Sequence, residues 1–142
     1  MADYVMLCEA RAELPNNLGE FWAEPKLDGT RAILEKKGAE VAIRNRHGNN
    51  ITGKYPEIAA QAKNGDYKLD GEIVVYNGEG KIDFNSLQYR EHQTNKLKIW
   101  LLGKRLPAVF IPFDILKLEG NDTTNLMLCD RKRLLGEVKD FE

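Results

Sequence analysis

Glycine and proline interrupt this chain so often that no long element can form. Its 142 residues include 12 glycines and 5 prolines, spread along the sequence rather than gathered in one tract. Such residues punctuate local structure, so the chain reads as short elements joined by turns. Residues 30–36 (T-R-A-I-L-E-K) and 40–44 (E-V-A-I-R) read as two strands, with Lys37-Gly38 at the turn between them. Residues 73–76 read as a third, closed by Asn77-Gly78. The apolar run 108–116 is another. Pro112 within it cannot donate a ladder hydrogen bond and marks an edge or an irregularity. A short strand is also expected at 21–24, before a loop from Pro25 to Gly29. Helices are expected over 55–63, 84–91, 95–102 and 130–139. The first has Pro56 in its opening turn, and the last has Leu134, Leu135 and Val138 on one face. Hairpins with few helices between them predict an α+β fold, mainly antiparallel sheet with flanking helices.

The length is that of one domain, and it suffices for a core without disulfides or metal. Met1-Ala2-Asp3-Tyr4 lacks the basic and apolar regions of a leader, and no apolar run approaches a membrane span. A cytoplasmic protein with no membrane contact, monomeric, is expected. Cys8 and Cys129 read as reduced thiols in or near the core. With no CxxC and only His47 and His92, a structural zinc site is not expected. The formal net charge of −1 argues against nucleic-acid binding by overall charge. A local basic stretch is nevertheless present. Lys96, Lys98, Lys104 and Arg105 occur between Thr94 and Arg105 with no acidic residue, interleaved with Ile99, Trp100, Leu101 and Leu102. Such a stretch can neutralise DNA phosphates, and its apolar residues must find a core or a partner.

The chemistry concentrates in Glu24-Pro25-Lys26-Leu27-Asp28-Gly29-Thr30-Arg31. A lysine sits in a loop, followed by a carboxylate, a glycine and an arginine that opens the next strand. A lysine amine is a poor nucleophile while protonated, and burial or neighbouring cations free its lone pair. Gly29 permits a tight turn that brings backbone near a ligand. Arg31 offers planar donors for phosphate or ribose hydroxyls. Taken alone, K-x-D-G is also a common surface turn.

Lys26-x-Asp28-Gly29-x-Arg31 resembles the signature of the covalent nucleotidyltransferases: DNA ligases, RNA ligases and mRNA capping enzymes. Further segments come in that family's order. Arg46-His47-Gly48, then Thr52 and Tyr55-Pro56, resembles its arginine-glycine turn, with His47 where asparagine is usual. Asp70-Gly71-Glu72 resembles its D-G-E strand. Phe110 to Leu116, with Gly120 and Arg131, resembles the segment whose aromatic residue covers the adenine. Phe84-x-x-Leu87-Gln88-x-Arg90 and the start Val5-Met6-Leu7 resemble the small bacterial and archaeal ATP-dependent DNA ligases, including those linked to end joining. With Met1 just before that start, no large amino-terminal DNA-binding domain is expected.

The resemblance implies a nucleotidyltransferase (ATP-grasp-like) adenylation domain over residues 1–142. Lys26 would become adenylylated, and Glu24 would read the adenine edge. Leu27, Arg31 and Arg46 would line the nucleotide, with Arg46 facing nucleotide or DNA backbone. Glu72 would meet ribose or Mg²⁺, and Phe113 would stack on adenine. Asp28, Gly29, Asp70 and Gly71 would support them. ATP and Mg²⁺ are implied as reactants, and nicked duplex DNA as partner. The domain is expected to be incomplete: the family's later E-G-x-x-x-K and K-x-K segments are missing, as is its OB-fold domain. Other readings from the same residues are an RNA ligase or capping-type enzyme, and a nucleotide- or DNA-binding fragment without catalysis.

Overall fold

The computed structural model describes residues 5–141. The segment Met1–Tyr4, expected to be no leader, lies outside the described residues. Five strands form one antiparallel sheet: β1 (Thr30–Lys37), β2 (Glu40–Asn45), β3 (Tyr67–Val75), β4 (Ala108–Leu118) and the short β5 (Asn121–Asp122). Their order across the sheet is β2-β1-β3-β4-β5. Four α-helices accompany them: α1 (Pro56–Ala59), α2 (Phe84–Glu91), α3 (Lys96–Arg105) and α4 (Leu128–Leu135). The mainly antiparallel α+β architecture expected from the hairpin pattern is the one that forms.

Strand alternation divides the sheet into two chemically different faces. Ala32 and Leu34 of β1, Leu69, Ile73 and Val75 of β3, and Phe110 and Ile115 of β4 enter the apolar core with Tyr55, Ile58 and Leu87. Helix α2 packs on β3, while α1 and α4 pack on β4. The intervening residues Arg31 of β1 and Asp70 and Glu72 of β3 point the other way. Arg31 and Glu72 are register partners across the β1–β3 ladder. The polar face of this sheet therefore carries the charged motif residues.

The β3–β4 ladder is irregular at two points, between Lys68 and Leu69 and between Asp70 and Gly71. At the second, Asp70 pairs with Asp114 and Gly71 with Pro112, so Phe113 is the extra residue of a bulge. A bulge re-aims the side chains around it. Pro112 marked this irregularity. Gly71 is required beside it. A Cβ there would stand 2.6 Å from the Phe110 ring and 2.6 Å from the Ile111 carbonyl oxygen.

Several expectations need correction. Residues 21–24 form no strand, and Phe21 and Trp22 are more than half exposed. Both edges of β1 are already occupied, by β2 and β3, so the segment has no ladder slot beside the strand it precedes. The helix expected over 55–63 ends at Ala59. Beyond it, the Lys63 and Asn64 amides donate to the Asp140 carboxylate instead of to helix carbonyls. The final helix begins earlier than expected and stops at Gly136, a poor helix former, before a 3-10 turn at Lys139–Phe141. Leu134, Leu135 and Val138 do pack against the core. Both cysteines are exposed free thiols, not core residues.

Helix α3 forms where one was expected over 95–102 but runs on to Arg105, and Asn95 caps it by accepting from the Lys98 amide at 3.0 Å. Ile99 and Leu102 reach the interior, whereas Leu97, Trp100 and Leu101 stay in solvent. Arg90 is buried. It donates to the Glu57 carboxylate, to the Leu106 carbonyl at 2.8 Å and to the Lys54 carbonyl at 3.1 Å, and its guanidinium lies over the Tyr55 ring. This network joins α2 to α1 and to the entry of β4.

Candidate nucleotide site

The loop from Pro25 to Gly29 meets β3 at its last residue. Gly29 explains how it can lie so close. A Cβ at this position would meet the Ile73 carbonyl oxygen at 2.2 Å and the Glu72 Cγ and Val74 Cγ1 at 2.9 Å. No side chain fits there. With glycine, the Gly29 N–H donates to the Glu72 carboxylate. Burial raises the Glu72 pKa above its ordinary value, against the opposing pull of that hydrogen bond and of the Arg31 and Lys26 cations. Lys26 itself is exposed, and its charge acts on Glu72.

Arg31 joins the two halves of the site. Its guanidinium grips Asp70 through two bonds, of 3.0 Å and 2.6 Å. Its Cζ also lies 5.4 Å from the centroid of the bulged Phe113 ring. Asp70 is thereby committed to Arg31. The D-G-E segment so contributes one positioning carboxylate and one, Glu72, that faces the cleft. On the far side of Phe113, Lys132 donates to the Phe113 carbonyl and forms an ion pair with Glu24. Lys132 is held there by its neighbour: Arg131 grips Asp114 at 2.8 Å and 3.0 Å and fastens α4 to β4.

A cleft of about 580 Å³ opens around the start of β1 and the end of β2. Gly29, Arg31, Arg46 and Glu72 line it, together with His47, Lys54 and Glu91. Arg46 stands exposed in the loop after β2, where the Asn45 side chain accepts from the His47 and Asn49 amides. Thr52 closes the same loop by accepting from the Ile43 amide at 2.8 Å. Glu24, Lys26, Leu27, Asp28 and Phe113 are not among that cleft's lining residues. Of these, Phe113 meets Arg31 and Glu24 is tied to Lys132.

Sequence reasoning missed two groups. Lys132 connects to Glu24 across 108 positions of sequence. Glu91 accepts from the Thr30 hydroxyl at 2.5 Å and from the Tyr55 hydroxyl at 3.2 Å, tying the K-L-D-G-T-R segment to α2. Neither pairing carries a local signal. For a divalent metal, the cleft offers Glu72 and Glu91, and Glu91 is already engaged by the Thr30 and Tyr55 hydroxyls. Among the described residues, no group of three or more His, Cys, Asp or Glu side chains could cage an ion. That donor set fits Mg²⁺, which is commonly held by one or two carboxylates with phosphate oxygens and waters.

The site thus brings together a lysine-bearing loop, a half-buried carboxylate and an arginine-backed aromatic ring. Residues 5–140 match the family model described as "ATP dependent DNA ligase domain", and the chain belongs to that family. It is 31% identical over 141 residues to DNA ligase C1 of Mycolicibacterium smegmatis, covering 95% of this chain and 40% of that protein. It is 34% identical over 130 residues to the bifunctional non-homologous end joining protein LigD of Bacillus subtilis, covering 85% of this chain and 21% of that one. Among solved structures, the ligase domain of M. tuberculosis LigD aligns with a TM-score of 0.65 at 30% identity, covering 80% of this chain and 35% of that one. A mycobacterial DNA ligase D complexed with ATP and MES aligns with a TM-score of 0.68 at 29% identity, covering 83% and 36%. The chain thus spans two fifths or less of the length of each of these proteins. No described helix is long and apolar enough to cross a membrane.

Proposed function

We propose that this chain is the nucleotide-loading part of an ATP-dependent DNA ligase, with Lys26 as the residue that accepts AMP. The observation that carries the reading is the position of Arg31. One guanidinium touches the Phe113 ring, is fixed by Asp70 and lines the same cleft as Glu72, next to the loop that bears Lys26. The adenine would stack on Phe113 with Glu24 at its edge, and the phosphates would point toward Lys26 and the cleft. The relative whose structure is described as an ATP complex supports this reading.

In the loading step, the Lys26 Nζ lone pair attacks the α-phosphorus. A P–N bond forms, the bond to the β-phosphate oxygen breaks, pyrophosphate leaves, and the lysine proton passes to solvent. Mg²⁺ held at Glu72 would neutralise phosphate charge. Arg31 orients the nucleotide, and Arg46, at the mouth of the cleft, meets nucleotide or DNA backbone. In the complete ligase, AMP then passes to a 5′-phosphate at a nick. Attack by the 3′-hydroxyl next releases AMP and seals the strand. DNA approaches through sequence-independent phosphate contacts from Lys96, Lys98 and Lys104 of α3.

Residues 1–142 are proposed to form part of a larger adenylation domain. Phosphate-gripping groups supplied by later segments would raise the loading rate by orders of magnitude, so this chain alone is expected to load slowly. The reading is tested by comparing ATP, GTP and NAD as donors in a labelling assay. Labelling by ATP alone is the expected result. Preferential labelling by GTP or NAD overturns the assignment.

A further inference from the structure

Helix α3 buries one stripe, Ile99 and Leu102, and leaves a second in solvent. Leu97, Trp100, Leu101 and Lys104 fall at the spacing of one helical face, and the first three are 66%, 51% and 40% exposed. The solvent side of a helix this short normally carries polar residues, so a large aromatic there calls for a partner. Lysines accompany the exposed rings. The Lys104 ammonium lies 4.1 Å from the centroid of Trp100, and Lys98 reaches across from α3 to within 5.4 Å of the Tyr89 ring of α2. Tyr89 is itself 47% exposed. The nearby carboxylates are engaged or buried, Glu57 lying against Gly103 of α3. Glu91 accepts from Thr30 and Tyr55, and Glu57 faces Arg90. Lys96, Lys98, Lys104 and Arg105 are all exposed, so the face is locally cationic although the chain is not.

We infer that this α2–α3 face is a stacking platform for the unpaired nucleotides of a DNA strand. The inference rests on the proposed DNA ligase function for the class of partner and goes beyond it in the strand state recognised. Lysines alone would serve a duplex, whose phosphates face outward. Exposed aromatic rings add nothing on a duplex exterior, because the faces of paired bases are stacked on one another. Rings interleaved with cations match a single strand, whose backbone meets the lysines while its bases stack. Each stacked base contributes roughly 1–3 kcal/mol by alanine substitution, about 5- to 150-fold in affinity.

The test uses the whole chain with Trp22→Phe, so that Trp100 is the remaining tryptophan. It is titrated with a thymidylate oligomer of about eight nucleotides, an abasic oligomer of equal charge, and a duplex of equal length. Thymidylate is expected to quench Trp100 emission saturably and to bind at least about 10-fold more tightly than the abasic strand. Read by anisotropy of end-labelled oligonucleotides, Trp100→Ala and Tyr89→Ala should each weaken thymidylate binding by about the same factor and leave duplex binding unchanged. Trp100→Phe, which keeps a ring, should retain most of it. Replacing Lys96, Lys98 and Lys104 with alanine should weaken all three ligands and flatten their salt dependence. Equal affinity for thymidylate and abasic strands, with duplex binding still dependent on the lysines, overturns the platform and leaves the DNA face intact. Lysine-independent binding, or no binding to any of the three, removes both. A Trp100-dependent dimer that ignores oligonucleotide assigns the face to a second copy and also overturns the proposal.

Discussion

Replacing Gly29 with alanine adds one methyl group where the structure has no room for it. The new Cβ would stand 2.2 Å from the Ile73 carbonyl oxygen, which is part of the β3 backbone and cannot rotate away. Its other neighbours, the Glu72 Cγ and Val74 Cγ1 at 2.9 Å, belong to side chains of the same strand. Relief therefore requires the loop to lift off β3. Overpacking by a methylene typically costs about 1–3 kcal/mol, and a rigid backbone oxygen places this case near about 3 kcal/mol. For a chain of this size that corresponds to a fall in melting temperature on the order of 10 °C. Lifting the loop also withdraws the Gly29 N–H from Glu72 and moves Lys26, so ATP binding should be lost at temperatures where the variant is still folded. Chemical denaturation gives the stability change, and calorimetric ATP titration gives the binding. Gly78→Ala, with nothing within 4 Å of the added carbon, is the control and should change neither. A Gly29→Ala variant with a native denaturation midpoint would refute the close approach on which the site is built.

Glu72 carries a raised pKa through burial, so between the unfolded and folded values the folded state holds a proton the unfolded chain has released. Its contribution is favourable below the unfolded value near 4.5 and is lost as pH rises through the higher folded value. Glu72→Gln should remove that segment of the stability–pH curve, seen in denaturation midpoints across the acid range; parallel curves for both proteins would count against the assigned burial. Arg90→Ala strands the Glu57 carboxylate and empties a buried site, and should cost about 3–5 kcal/mol in chemical denaturation. A loss under about 1 kcal/mol would show that the network is solvated. Lys132→Met frees Glu24 and the Phe113 carbonyl, and should weaken ATP binding about 10-fold with the fold retained, as read by calorimetry and circular dichroism. Unchanged affinity would remove Lys132 from the site.

Much of this arrangement was legible from local pattern. The Lys37-Gly38 turn between β1 and β2, the helical stretch from Asn95 and the proline in β4 each act within a few residues, so their consequences can be read along the chain. Pro112 announced an irregularity, but not that Phe113 would be the bulged residue aimed at Arg31. The strand expected at 21–24 failed for a tertiary reason. Its aromatic residues suit a sheet, yet β1 has no free edge to offer it. Lys132–Glu24 and Thr30–Glu91 were invisible because each joins residues separated by 61 or more positions. In the sequence, the resemblance gave Glu72 the nucleotide and Asp70 a supporting place, but not which of them Arg31 would grip. The register makes Glu72 the partner of Arg31, yet the guanidinium reaches diagonally to Asp70 and leaves Glu72 to the cleft.

The central claim concerns one nitrogen atom, and peptide mapping tests it most directly. The chain is incubated at length with excess ATP and Mg²⁺, digested, and searched by mass spectrometry for lysine carrying AMP. The account predicts slow formation of an acid-labile adduct confined to the peptide containing Lys26, absent from the Lys26→Ala variant. An adduct on Lys36, Lys54 or Lys68, or one that survives Lys26→Ala, would contradict it, as would a chain that neither binds ATP nor carries AMP on any lysine.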